Sequence, residues 1–136
     1  MYEKAFFLEV ITPDRSIFRG EATSLSAPGT NGGFQILYDH APFLSTLEVG
    51  RMTIKNTDGS DIVIATSGGF VEVRRNRVVV LVEAAERADE IDVERARASR
   101  ERAEQRLHVR DIQIDLARAE LALLRARNRL RVAGKA

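Results

Sequence analysis

Glycine and proline stop abruptly part-way along this chain. Eight of the nine Gly and all three Pro fall within the first 69 residues, and from Glu83 to Ala133 there is neither. That later stretch is mostly Arg, Ala, Glu and Leu, which are strong helix formers. The earlier part breaks into short Val-, Ile-, Phe- and Thr-rich runs between turn residues. Such a chain is expected to fold as a compact β-module followed by a polar helical arm.

The candidate strands are Ala5–Thr12, Ser16–Gly20, Glu21–Ala27, Phe34–Leu37, Phe43–Leu47, Arg51–Asn56, Ile62–Thr66, Phe70–Val73 and Val78–Glu83. Phe6, Leu8 and Val10 alternate with Phe7, Glu9 and Ile11, the period of a strand with one buried face. Asn56–Ser60 and Arg74–Arg77 read as hairpin connections. Short strands at this spacing indicate an antiparallel sandwich or flattened barrel. At about 85 residues such a module buries only a modest core, and partner contacts would add to its stability.

The arm is expected to form two helices. The first begins near Asp89 as N-cap and runs to about Leu107, with a thin face of Ala88, Ile91, Ala96, Ala103 and Leu107. The second begins after Asp111 and carries Ile112, Leu116, Ala119, Leu123, Ala126 and Leu130 at alternating spacings of four and three. Ile114, Ala117, Leu121 and Leu124 lie alongside. The turn then falls at His108–Asp111, which makes an antiparallel helical hairpin. The domain boundary is expected between residues 87 and 88.

Several function classes are disfavoured. Without Cys there is no disulfide framework or thiolate metal site. The aliphatic run Val78–Val82 is too short to cross a bilayer, and the Met1–Lys4 start lacks the pattern of a signal peptide. The net charge is +1. Residues 84–136 hold 13 basic and 10 acidic side chains, an interspersed pattern unlike the one-signed stripe of a nucleic-acid arm. Pro28–Gly33 reads as a turn, because a phosphate loop would continue into Gly-Lys-Ser/Thr and a helix. Asp39 and His40 form the one acid–base-like pair of the front half, with no nucleophile in a recognisable context. A surface-loop role suits them better, and two isolated His offer no metal set. The 12 Arg from Arg87 to Arg131 admit two readings. One is a solvated helix laced with pairs such as Arg97–Glu101. The other is a convergent set of planar forks that grips a triphosphate or an acidic partner.

Three collinear segments carry a family resemblance. Ser67–Val73, followed by Asn76 and Val78–Leu81, resembles the central strand pair of the epsilon subunit of F-type ATP synthases. Ile36–Leu44 is similar to that family's His-containing loop, with Tyr38-Asp39 standing where Pro-Gly is usual and Gln35 where Gly is common. Glu83–Ala96 resembles its junction between sandwich and hairpin. The resemblance spans the whole chain and implies a β-sandwich of about ten strands followed by a helix–turn–helix.

The resemblance also implies a non-catalytic central-stalk subunit whose sandwich binds the gamma subunit and the c-ring. Asn31, Tyr38, Asp39, His40 and Pro42 would then supply the contact rim. The hairpin would contact the catalytic alpha/beta head and block ATP hydrolysis when extended. No cofactor is required, but ATP is implied as a regulatory ligand through Ile91-Asp92-x-x-Arg95-Ala96. Glu86, Arg102, Arg118, Arg125 and Arg129 would complete that site, with Glu86 and Asp92 at the adenine and ribose end and the Arg at the phosphates. Membrane association would come only through the complex, on the cytoplasmic face of the bacterial inner membrane. The alternative is a sandwich adaptor with a constitutive coiled-coil tail and no nucleotide.

Overall fold

The structure, a computed structural model, describes residues 4–109 and 115–134. The chain forms two compact units, Met1–Arg87 and Ala88–Ala136.

The first unit holds seven strands among the described residues: β1 (Phe6–Ile11), β2 (Ser16–Gly29), β3 (Gly32–Ile36), β4 (Phe43–Asn56), β5 (Asp61–Arg74), β6 (Arg77–Val82) and β7 (Ala85–Arg87). They are hydrogen-bonded in the order β1-β6-β5-β4-β2-β3, with β7 on β5. β1 also pairs with β2, so the sheet closes into a flattened barrel. All pairings are antiparallel except β1 with β6.

The segments expected from the sequence are present, but six of them are fused in pairs. Ser16–Gly20 with Glu21–Ala27, Phe43–Leu47 with Arg51–Asn56, and Ile62–Thr66 with Phe70–Val73 are the three 14-residue strands β2, β4 and β5. The expected count of about ten strands therefore becomes seven among the described residues, three of them long. The glycines between the paired segments bend a continuous strand; they do not end it. At Gly68–Gly69, with φ of 103° and 154°, β5 exchanges β6 for β7 as its partner. A Cβ on Gly69 would fall onto the Leu81 carbonyl and lie 2.7 Å from Val82 Cα, so only glycine fits this crossing.

The core follows the alternation. Phe6, Leu8 and Val10 of β1 are buried with Val78 and Val80 of β6, Val71 and Val73 of β5, and Met52 and Ile54 of β4. Both expected hairpin turns form. In the first, Asn56 N–H donates to Ser60 O at 2.8 Å. In the second, Arg74 faces Arg77 across a two-residue link.

The second unit contains one 3-10 turn (Ala88–Glu90), α1 (Val93–Val109) and α2 (Leu116–Val132). Asp89 was the expected N-cap of the first helix, but the cap is Asp92, whose Oδ1 accepts the Arg95 N–H at 3.1 Å. Ala88–Glu90 spends its local bonding on the 3-10 turn instead. His108 is inside α1, so it is not part of the turn. Val109 ends α1, and Arg110 and Asp111, together with Ile112 and Ile114, lie outside the described residues. Asp115 caps α2, accepting the Arg118 N–H at 3.1 Å. The two helices form a hairpin whose buried residues are Ala96 and Ala103 on α1 and Ala119, Ala126, Asn128, Leu130 and Val132 on α2. Glu104 reaches Arg100 within its own helix at 3.8 Å and Arg127 of α2 at 4.0 Å. Arg97 pairs with Glu94 at 2.9 Å, not with the expected Glu101. Exposed pairs of this kind contribute on the order of 0–1 kcal/mol each, so the hairpin rests mainly on these buried side chains, the alanines forming the seam between its helices.

Candidate functional site

Two groups of residues merit separate description, one in each unit. The first is the loop between β3 and β4. β3 ends at the buried Ile36, and the chain turns outward with Leu37 and Tyr38 exposed by 51% and 43%. The His40 N–H closes the turn onto Leu37 O at 3.3 Å. Asp39 stands in the left-handed region at φ 61°. Such a backbone is costly for a residue with a side chain unless the surroundings hold it.

The His40 ring is engaged locally. Its Nδ1–H donates to the Ala41 carbonyl at 2.7 Å, and it meets Phe43 edge-on at 5.5 Å. Phe43 in turn packs edge-on against Phe34 at 5.0 Å. The Asp39 carboxylate makes no hydrogen bond to His40, so the two do not form an acid–base pair. Pro42 is exposed and leads into β4. The Lys4 ammonium sits 5.0 Å from the Tyr38 ring centroid.

Asn31 is in the turn between β2 and β3, at the other end of β3 from Tyr38. At about 3.3 Å per residue, the five-residue β3 sets the two roughly 17 Å apart. The neighbouring Thr30 ties that turn to β4 through N–H to Thr46 O at 3.0 Å and a hydroxyl pair at 2.6 Å. Asn31 and Tyr38–Pro42 are therefore two points along one edge and not one cluster.

The second group is on the hairpin. Ile91 is buried, and Asp92 and Arg95 are exposed and joined by the helix cap. Ala96 is buried. At about 100° per residue, Arg95 and Arg102 fall within roughly 20° of each other on α1. By the same arithmetic Arg118, Arg125 and Arg129 fall within roughly 40° on α2. Each stripe stands about a quarter turn from its helix's alanine seam, in the same rotational sense. In a hairpin that arrangement puts both stripes on one side, and the Glu104–Arg127 ion pair on the other. Glu86 belongs to the other unit, in β7 opposite Ala65. β7 itself is pinned by Arg87, whose Nη2–H donates to Ile17 O at 3.0 Å.

Sequence reasoning noticed Asn76 only as part of a motif. In the structure its side chain bonds both Asp39 of the β3–β4 loop and Ala5, the residue before β1. Its position between two Arg in a two-residue hairpin link marked the turn but not these contacts. Among the described residues no helix is long and apolar enough to cross a membrane.

These features define a two-part protein: a closed β-module with an exposed loop, joined to a helical arm with an arginine side. Residues 5–88 match the family "ATP synthase, Delta/Epsilon chain, beta-sandwich domain", and residues 89–134 match "ATP synthase, Delta/Epsilon chain, long alpha-helix domain". The ATP synthase epsilon chain of Desulforamulus reducens is 46% identical over 126 residues, covering 93% of this chain and 95% of that one. Two solved structures share the fold. One is a chain of the Euglena gracilis mitochondrial ATP synthase OSCP/F1/c-ring, with a TM-score of 0.80 at 21% identity, covering 91% of this chain and 78% of that one. The other is from the Tetrahymena thermophila mitochondrial ATP synthase central stalk and c-ring, with a TM-score of 0.64 at 16% identity, covering 98% and 99%. The chain belongs to the ATP synthase delta/epsilon family, as an epsilon-type, non-catalytic subunit.

Proposed function

We infer that this subunit sits in the central stalk, with its sandwich docked on gamma and the c-ring and its hairpin acting as an ATP-sensitive brake on hydrolysis. The Tyr38–Pro42 loop and Asn31 would meet the ring. Gamma would take the outer sheet face, where Leu44, Phe70 and Leu81 are exposed by 70%, 41% and 38%. Phe70 and Leu81 are cross-strand partners there. The hairpin would reach the alpha/beta head when extended. The subunit would stay at the cytoplasmic face of the bacterial inner membrane through these partners alone.

The observation that carries the brake reading is the arginine side of the hairpin. Five guanidinium groups from two helices share one side, and Asp92 opens α1 beside them. A triphosphate could be gripped there by planar, charge-assisted hydrogen bonds. Ile91 and Ala96 would complete the site on the hairpin. Bound ATP would favour the compact hairpin and so relieve the brake, a population shift set by its differential affinity for the two forms.

The test is to add the full chain, and separately residues 1–88, to an F-type catalytic complex lacking epsilon, and to follow ATP hydrolysis. Inhibition by the full chain alone, relieved at high ATP, is the expected result. Binding without inhibition by either form would reduce the hairpin to a structural element. Absence of binding by both would remove the stalk assignment.

A further inference from the structure

We propose that Asn76 is a positioning residue for the docking loop, holding it in its contact-ready shape through the side-chain amide. The proposal rests on the reading of Tyr38–Pro42 as the ring contact. Arg75 and Asn76 form the link between β5 and β6 with φ of 46° and 61°, the two positive values of a type I′ hairpin turn. Asn is favoured in such a turn for its backbone alone. Here the side chain is also fully engaged. Its Oδ1 accepts the Asp39 N–H at 3.0 Å, and its Nδ2–H donates to Ala5 O at 3.1 Å. The Asn76 backbone carbonyl accepts the Phe7 N–H at 3.2 Å.

Three chain segments thus meet at one residue, separated from it by 37 and 71 positions on the side-chain bonds. The bond to the loop falls on Asp39, the residue of that loop with positive φ. Asp enters the left-handed region more readily than most residues, and the Asn76 side-chain Oδ1 fixes it there through the Asp39 N–H. The second bond extends the effect. Ala5 adjoins Lys4, whose ammonium lies 5.0 Å from the Tyr38 ring. One amide therefore bonds Asp39 directly and anchors the backbone next to Lys4, whose ammonium flanks Tyr38.

Asn76→Gly separates the brace from the turn, because glycine adopts positive φ freely and keeps the hairpin link. The measurements are NMR amide exchange on the isolated chain, and affinity for a gamma–c-ring complex lacking epsilon. In Asn76→Gly, exchange at Asp39 is expected to accelerate about tenfold, the loss of one net hydrogen bond, with Val78 and Val80 amides unchanged. Affinity for the ring complex should fall by a similar factor. Asn76→Asp retains an acceptor for the Asp39 N–H and should restore much of its protection. Unchanged exchange at Asp39 in Asn76→Gly would overturn the brace. Faster exchange with unchanged affinity would overturn the positioning role. A Tyr38→Ala/His40→Ala pair tests the docking reading separately: if that pair assembles normally, the loop is not the ring contact, and the exchange data still decide the brace.

Discussion

The Asp92 carboxylate accepts the backbone N–H of Arg95 at 3.1 Å, so the carboxylate and guanidinium residues of the proposed nucleotide site are joined by a helix cap. Asp92 can therefore act twice, as the start signal of α1 and as a ligand group. Its two roles separate by substitution.

Asp92→Asn keeps a capping oxygen and removes the charge. We expect α1 helicity to be unchanged by circular dichroism while ATP affinity falls about tenfold in equilibrium dialysis. Asp92→Ala should lose both, with the cap alone worth about 1 kcal/mol. Equal ATP affinity in all three proteins would exclude Asp92 from the nucleotide site.

The crossing at Gly69 makes a sharp stability prediction. Gly69→Ala drives a methyl into the Leu81 carbonyl at positive φ, and should cost about 3 kcal/mol or more in urea unfolding. Gly68→Ala meets no atom closer than Leu47 O at 3.6 Å. It carries only the backbone cost, on the order of 1 kcal/mol. Similar losses for the two variants would show that the crowding is not real.

The alanine seam should not tolerate bulk. Ala103→Leu or Ala126→Leu inserts a branched side chain at a position 1% or 2% exposed. Each should destabilise the hairpin by about 1–3 kcal/mol, with the sandwich amides unaffected in hydrogen exchange. Loss of protection throughout the sandwich would mean that the two units unfold together.

The outer sheet face can be probed without touching the core. Phe70→Ser with Leu81→Ser removes an exposed cross-strand pair, and should weaken association with gamma by tenfold or more while leaving the unfolding midpoint nearly unchanged. Undiminished association in a pull-down with gamma would move the docking surface elsewhere.

Acid should loosen one turn by a defined route. The Ser60 hydroxyl donates to Asp58 Oδ1 at 2.6 Å and the Ser60 N–H at 2.8 Å. The hydroxyl foremost, then the amide, hold the Asp58 carboxyl below its ordinary value of 3.8. The depressed value favours the ionised form in the folded chain. Its contribution is therefore present above 3.8 and is lost as pH falls through the folded pKa. Carboxyl NMR titration should find Asp58 below an unstructured Asp, and Ser60→Ala, which removes the hydroxyl and keeps the N–H, should reverse the larger part of that shift. A normal Asp58 value in the native chain would contradict the hydrogen bonds.

Much of this was legible in the sequence, for reasons that differ by residue. The split between strands and helices follows from where Gly and Pro stop. The core face of β1 follows from Phe6, Leu8 and Val10. Fusion of the short segments into β2, β4 and β5 was hidden, because a glycine that bends a strand looks the same in sequence as one that ends it. Asp89 and Asp92 both have the signature of an N-cap, and only the 3-10 turn at Ala88–Glu90 decides between them. The arginine side of the hairpin was foreshadowed by spacing alone. Asn76 was not, because its contacts at Ala5 and Asp39 lie far along the chain and leave no local pattern.

The pairing of β1 with β2 closes the ring of ladders that runs through β6, β5 and β4. A sheet with two open sides can be unzipped from an end strand, one hydrogen bond at a time. A closed one must shear several ladders together before any strand comes free. On the proposed stalk reading, the subunit would meet sideways force at every step of a turning shaft. Among the described residues such a load would have β3 and β7 to catch as loose ends, and the closed ring would resist as one body.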